Sequence, residues 1–119
     1  MVELWIDNGS GPVRNPDLTD EEFAEGIEQM KQTNISDLWN AAHNYEYAQI
    51  SGTATGLLVL GVLKGMPKCL AVQAWVTSIW NLYYVRKPLV THEQSLDMMD
   101  FSICGQMPYS VPELMAEVM

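Results

Sequence analysis

The residues of this chain that could do chemistry are few and widely spaced. His43 and Glu46 stand three apart, and Glu46 is the only acid between residues 38 and 90. A carboxylate beside an imidazole can shuttle protons when burial shifts its pKa. The same pair is also what an ordinary polar helix surface presents at i,i+3, and that plainer reading is preferred. His43 and His92 lie far apart, with no His-x-x-x-His and no Cys-x-x-Cys, so no metal site is expected. A nucleophilic Cys69 or Cys104 would need a base held close, and no spacing supplies one. Both are read as buried thiols. Gly52, Gly56 and Gly61 lack the Gly-Lys-Ser/Thr of a phosphate loop. Asp7-Asn8-Gly9-Ser10 lacks the later bidentate glutamate of a calcium loop. The expectation is a protein that is not an enzyme and takes no cofactor and no metal.

Recognition chemistry is better supplied. Trp75, Trp80, Tyr83 and Tyr84 fall within ten residues, and Tyr45 and Tyr47 lie on the preceding helix. Part of this set must fill a helix–helix seam. Tyr83 and Tyr84 point about 100° apart on a helix, so some aromatic surface is left to meet another element or another chain. Ala48, Gly52 and Gly56 recur every four residues, a small-residue face that would let a second backbone approach closely. The candidate protein-interaction residues are therefore Tyr45, Tyr47, Gly52, Gly56, Trp75, Trp80, Tyr83 and Tyr84.

These residues must be positioned by a single domain, because 119 residues suffice for one modest core. Apolar residues at 48% exclude a wholly disordered chain. A formal charge of -9 makes direct nucleic-acid binding unfavourable. The charge is segregated: residues 1–37 carry nine acids and two bases, 38–90 one acid and four bases, and 91–119 five acids and no base. An apolar, mildly basic centre thus lies between two acidic flanks.

Val2, Leu4 and Ile6 alternate with polar or bulky neighbours, the period of a short strand or extended arm within residues 1–18, whose only local partner is the stretch around Val13. Thr19 followed by Glu22 forms a capping box for an acidic helix over 19–32, burying Phe23, Ile27 and Met30. Asn34 has the form of a second cap, opening a helical hairpin over 35–87. Its first arm would bury Leu38, Ala41, Ala42, Tyr45 and Ala48, then kink near Gly52. Leu57 to Leu63 is apolar on every side. Lys64-Gly65-Met66-Pro67 supplies a stop and a start, and the second arm, 67–87, would carry Leu70, Ala71, Ala74, Trp75, Ser78, Ile79, Leu82 and Val85 toward its partner. In the acidic segment 88–119, Thr91 to Glu93 and Ser110 to Glu113 open short helices, with a loop over 101–109. The fold class expected is mainly α: a central antiparallel helical hairpin, shorter flanking acidic helices and an extended N-terminal arm.

Residues 48–63 and 69–85 are apolar stretches of 16 and 17 residues, near the lower bound for crossing a bilayer. Gln49, Gln73, Asn81, Lys64 and Lys68 would add desolvation costs there, so a membrane hairpin of the holin kind ranks third. Lys64-Gly65-Met66-Pro67-Lys68, the Trp75, Trp80 and Tyr83-to-Lys87 run, and the ending from Met107 to Met115 resemble small proteins of tailed bacteriophages and prophages, of the kind encoded among tail and fibre genes. That resemblance covers half the chain and implies a virion component or assembly factor, in the host cytoplasm or the virion. No signal peptide is visible at the N-terminus. Partners would be another protein or further copies of the chain. The alternative, resting on Asp20, Glu21, Glu22, Glu25 and Glu28, is a small acidic inhibitor of a host nucleic-acid enzyme.

Overall fold

A computed structural model describes residues 3–7, 9 and 11–119. Val2, Asn8 and Ser10, which entered the strand and calcium-loop readings, lie outside the described residues. The chain opens with a two-stranded antiparallel hairpin, β1 (Trp5–Asp7) and β2 (Pro12–Arg14), with Ile6 paired to Val13. The stretch around Val13 is therefore the missing partner edge. Asn15 closes the hairpin: its buried side chain donates to Glu3 O at 2.9 Å, and its amide donates to Leu4 O at 2.8 Å.

Helix α1 (Asp20–Tyr47) begins at the expected capping box, where Thr19 Oγ1 accepts from Glu22 N and the Glu22 carboxylate accepts from Thr19 N, both at 3.1 Å. It does not stop at residue 32. Asn34 is mid-helix and buried, donating to Thr91 O at 3.0 Å, and so is not a cap. Thr33, Asn34 and Ser36 weaken the helix by only tenths of a kcal/mol each, whereas ending it would orphan a set of backbone amides and carbonyls. Continuity wins.

The break comes at residues 48–52. Ile50 turns into the core at 3% exposure, and Gly52 takes φ +60°, ψ −133° as it enters helix α2 (Thr53–Leu63). A residue with a side chain would be strained there. At the far end of α2 the amide of Met66 donates to Gly61 O and that of Gly65 to Val62 O, at 2.9 and 3.0 Å. This doubly bonded termination has Gly65 at φ +71°, and Pro67 opens helix α3 (Pro67–Arg86) at once. The chain turns through 115° between α2 and α3.

The central hairpin is present, with its arms redistributed. The second half of α1 runs antiparallel to α3, as the contacts Asn34–Thr91 and Glu46–Trp80 require, and α2 forms a crossbar at the closed end. The buried stripe of α3 is Cys69, Val72, Trp75, Ile79 and Tyr83. It meets Leu38 and Ala42 of α1, Leu58 of α2, and Val90, Phe101 and Leu114. This corrects the expected face: Leu70 and Val85 are exposed. A helix apolar on most sides gives periodicity no means of locating its inner face.

Past α3 the expected helix at Thr91 is absent. Thr91 Oγ1 accepts from Glu93 N, two residues on, and makes a tight turn instead. The segment to residue 109 has 3₁₀ turns at Lys87–Leu89 and Ser102–Cys104 and is held to the hairpin by polar contacts. Arg86 Nη1 donates to the carbonyls of Met98 and Asp100. Gly105 O accepts from both Tyr45 Oη and Trp75 Nε1, at 2.5 and 2.9 Å. The final helix α4 (Val111–Val118) starts from the expected Ser110–Glu113 capping box and packs on α2.

Candidate functional surfaces

The molecule measures 64 × 24 × 22 Å, because the first half of α1 projects beyond α3 with only the β-hairpin and the loop at His92 beside it. Its radius of gyration is 20.5 Å, against about 13 Å for a compact chain near this length. An elongated shape leaves apolar side chains without cover. In α1, Phe23 and Ile27 are half-buried and Met30 is exposed, short of the burial their spacing predicts.

The eight candidate interaction residues separate into three groups. Trp75 and Tyr83 are buried in the core at 6% and 5% exposure, which withdraws them from any contact face. Tyr45 is half-buried and committed to Gly105 O. Trp80 is half-buried and donates its Nε1 to Glu46 Oε1 at 2.9 Å. Tyr47 and Tyr84 face solvent, as do Gly52 and Gly56. No backbone approaches either glycine, since an added Cβ would meet nothing within 4 Å. The close approach occurs at Gly61 instead, where a Cβ would fall 2.1 Å from Cys69 Sγ.

His43 does not pair with Glu46. It stacks between Trp39 and Tyr47, with ring centroids 4.8 and 4.0 Å apart, and Trp39 lies 5.7 Å from Trp80. The outcome is an aromatic row at i, i+4, i+8 along α1. Trp39 does not stand among the eight expected residues, and its four-residue spacing to His43 and Tyr47 is the sequence signal of this row.

A second surface lies on α2. Ala54, Leu58 and Gly61 face inward, so Gly56, Val59, Leu60 and Leu63 form the opposite stripe at helical spacing, and Leu63 is 78% exposed. A third is a groove of about 750 Å³ between the β-hairpin and α1, lined by Leu4, Trp5, Leu18 and Met30 together with Glu3, Glu22 and Glu25.

For reaction chemistry the surroundings are unhelpful. Burial pushes the Cys69 thiol up, and the nearby Glu117 adds to that, the reverse of nucleophile activation. Cys69 and Cys104 are both free thiols, the first buried and the second half-buried. Among the described residues no three His, Cys, Asp or Glu side chains stand close enough to hold a metal ion. Among the same residues no single helix is long and apolar enough to cross a membrane, although α2 and α3 with its 3₁₀ extension reach that composition as a bent pair. No protein-family model, characterised protein or solved structure matches the chain.

Proposed function

We propose that the chain is a non-enzymatic, phage-type structural or assembly protein acting through protein–protein contacts of its helical hairpin. The observation that carries this reading is the outer stripe of α2. Val59, Leu60 and Leu63 stand in water on a helix whose inner face already serves the core. Contiguous apolar surface of this kind marks a contact site. The aromatic row of Trp39, His43 and Tyr47, with Tyr84 at 65% exposure, adds side chains favoured as interface anchors. The sequence resemblance supplies the phage context.

The test is a photo-crosslinking amino acid placed at residue 63, and separately at the exposed Ser36, in cells producing the particles. Crosslinks from residue 63 to a particle component, absent from residue 36, support the reading. No crosslink at either position, with the chain absent from purified particles, overturns it.

The acidic-inhibitor alternative rests on Glu21, Glu25 and Glu28, which are exposed on α1. Asp20 pairs with Arg14 at 2.6 Å, Glu22 is engaged by Thr19, and Glu28 accepts from Gln32 Nε2 at 2.8 Å, so three of the five acids have partners within the chain. Salt-sensitive binding to a host nuclease would favour this alternative.

A further inference from the structure

The two ends of the molecule carry unlike surfaces. At one end, beyond the point where Asn34 meets Thr91, lies the groove, lined by Leu4, Trp5, Leu18 and Met30 and by the acidic Glu3, Glu22 and Glu25. At the other end, past the start of α3, lies the α2 stripe, which runs through Leu60 and Leu63 into Lys64. Lys64 is exposed and makes no ion pair among the described residues. Helix α4 brings Glu113 and Glu117 to this end, and Glu117 is engaged by the amides of Lys68 and Cys69, which leaves Lys64 as the exposed base beside the apolar stripe. The first end belongs to the segment of net charge -7.

Area points the same way. A folded monomer of 13.4 kDa exposes about 6,500 Å² on the usual scaling, and this chain exposes 7681 Å². The excess is about 1,200 Å², and a stable interface takes about 800 Å² from each partner.

We propose that the two ends meet between copies. The α2 stripe of one chain seats in the groove of the next, with Lys64 set among Glu3, Glu22 and Glu25. This rests on the reading of the chain as a protein that works by contacts, and it names the partner as a second copy. The interface is heterologous, so copies join head to tail into rings or open rows. Apolar burial supplies the affinity, and the charges fix the direction of docking.

Sedimentation of the full-length chain over a wide concentration range, with Leu63→Glu and Met30→Glu alone and mixed, tests it. Both positions are exposed, and circular dichroism checks that each variant folds. The wild type should form species larger than a monomer that dissociate as salt rises. Each variant alone should associate about tenfold or more weakly. Their equimolar mixture should form a one-to-one dimer, because the intact stripe of the Met30→Glu chain meets the intact groove of the Leu63→Glu chain. Lys64→Glu should weaken association, and Glu25→Lys on the receiving copy should restore it. A wild type that stays monomeric throughout overturns the proposal. So does a Met30→Glu chain that assembles like wild type while Leu63→Glu does not, which would indicate a symmetric α2–α2 contact. In either case a crosslink from residue 63 to a different particle protein leaves the broader reading standing.

Discussion

The Glu117 carboxylate accepts the backbone amide of Cys69 at 3.1 Å, and its other oxygen accepts that of Lys68 at 2.9 Å. Helix α3 has no side-chain cap of its own at Met66, so a residue 48 positions further along the chain serves its first turn. The last helix is thereby tied to the start of the central one. The same carboxylate crowds the Cys69 thiol, joining one residue's capping role to the other's inertness.

Burial pushes the Glu117 carboxyl up, but the amides of Lys68 and Cys69 outweigh it and hold it below its ordinary value of 4.5. A depressed carboxyl contributes stability that is complete above that value and is lost as pH falls through the lower, folded one. Thermal melts across this acid range should therefore show falling stability. Glu117→Gln should melt lower at neutral pH and show a shallower acid dependence. The remaining acid dependence comes from Glu22, Asp100 and Glu113, whose carboxyls are also held low, chiefly by the hydrogen bonds from Thr19, Ser102 and Ser110.

Gly61→Ala and Gly56→Ala should behave oppositely. At Gly61 the new methyl would collide with Cys69 and Val118, and overpacking of this sort costs about 1–3 kcal/mol. At Gly56 it would enter open space on a helix, where alanine is favoured by about 1 kcal/mol. Urea denaturation midpoints of the two variants would separate these effects.

Asn34→Ala should loosen the connection after α3. Its amide group is the donor to Thr91 O, and losing one such bond costs about 1 kcal/mol. Hydrogen exchange should quicken over residues 91–99 and stay unchanged in α4.

Tyr45→Phe and Trp75→Phe each remove one of two donors to Gly105 O. Because they share an acceptor, a double-mutant cycle should show a coupling of about 0.5 kcal/mol or more. Additive effects would mean that the loop is held by other contacts.

Towards a thiol reagent, Cys104 should react readily and Cys69 only as fast as the protein unfolds. Cys69 has no exposure and a raised pKa, whereas Cys104 is half-buried. Labelling kinetics followed by mass spectrometry would distinguish the two sites.

Local signals were legible at most element ends, though not at Asn34 or Thr91, where capping chemistry is present and no helix starts. The capping boxes at Thr19 and Ser110, the termination at Gly65 and the proline start at Pro67 depend on a few adjacent residues and stand where their spacing puts them. The inner faces of α2 and α3 did not follow from periodicity, since both helices are apolar on most sides. Nor did the core positions of Trp75 and Tyr83: an aromatic residue suits a core and an interface equally well, and only the packing separates the two.

Composition and short-range chemistry alone determine that this is a mainly helical domain with a basic apolar middle between acidic flanks, because helix propensity, capping and charge are written into neighbouring residues. The tertiary structure decided that α1 runs unbroken through Asn34, that Glu117 serves α3, and that Val59, Leu60 and Leu63 face outward. Those outcomes depend on contacts between residues dozens of positions apart, where burial and hydrogen bonding across the fold outweigh the small preferences of the local chain.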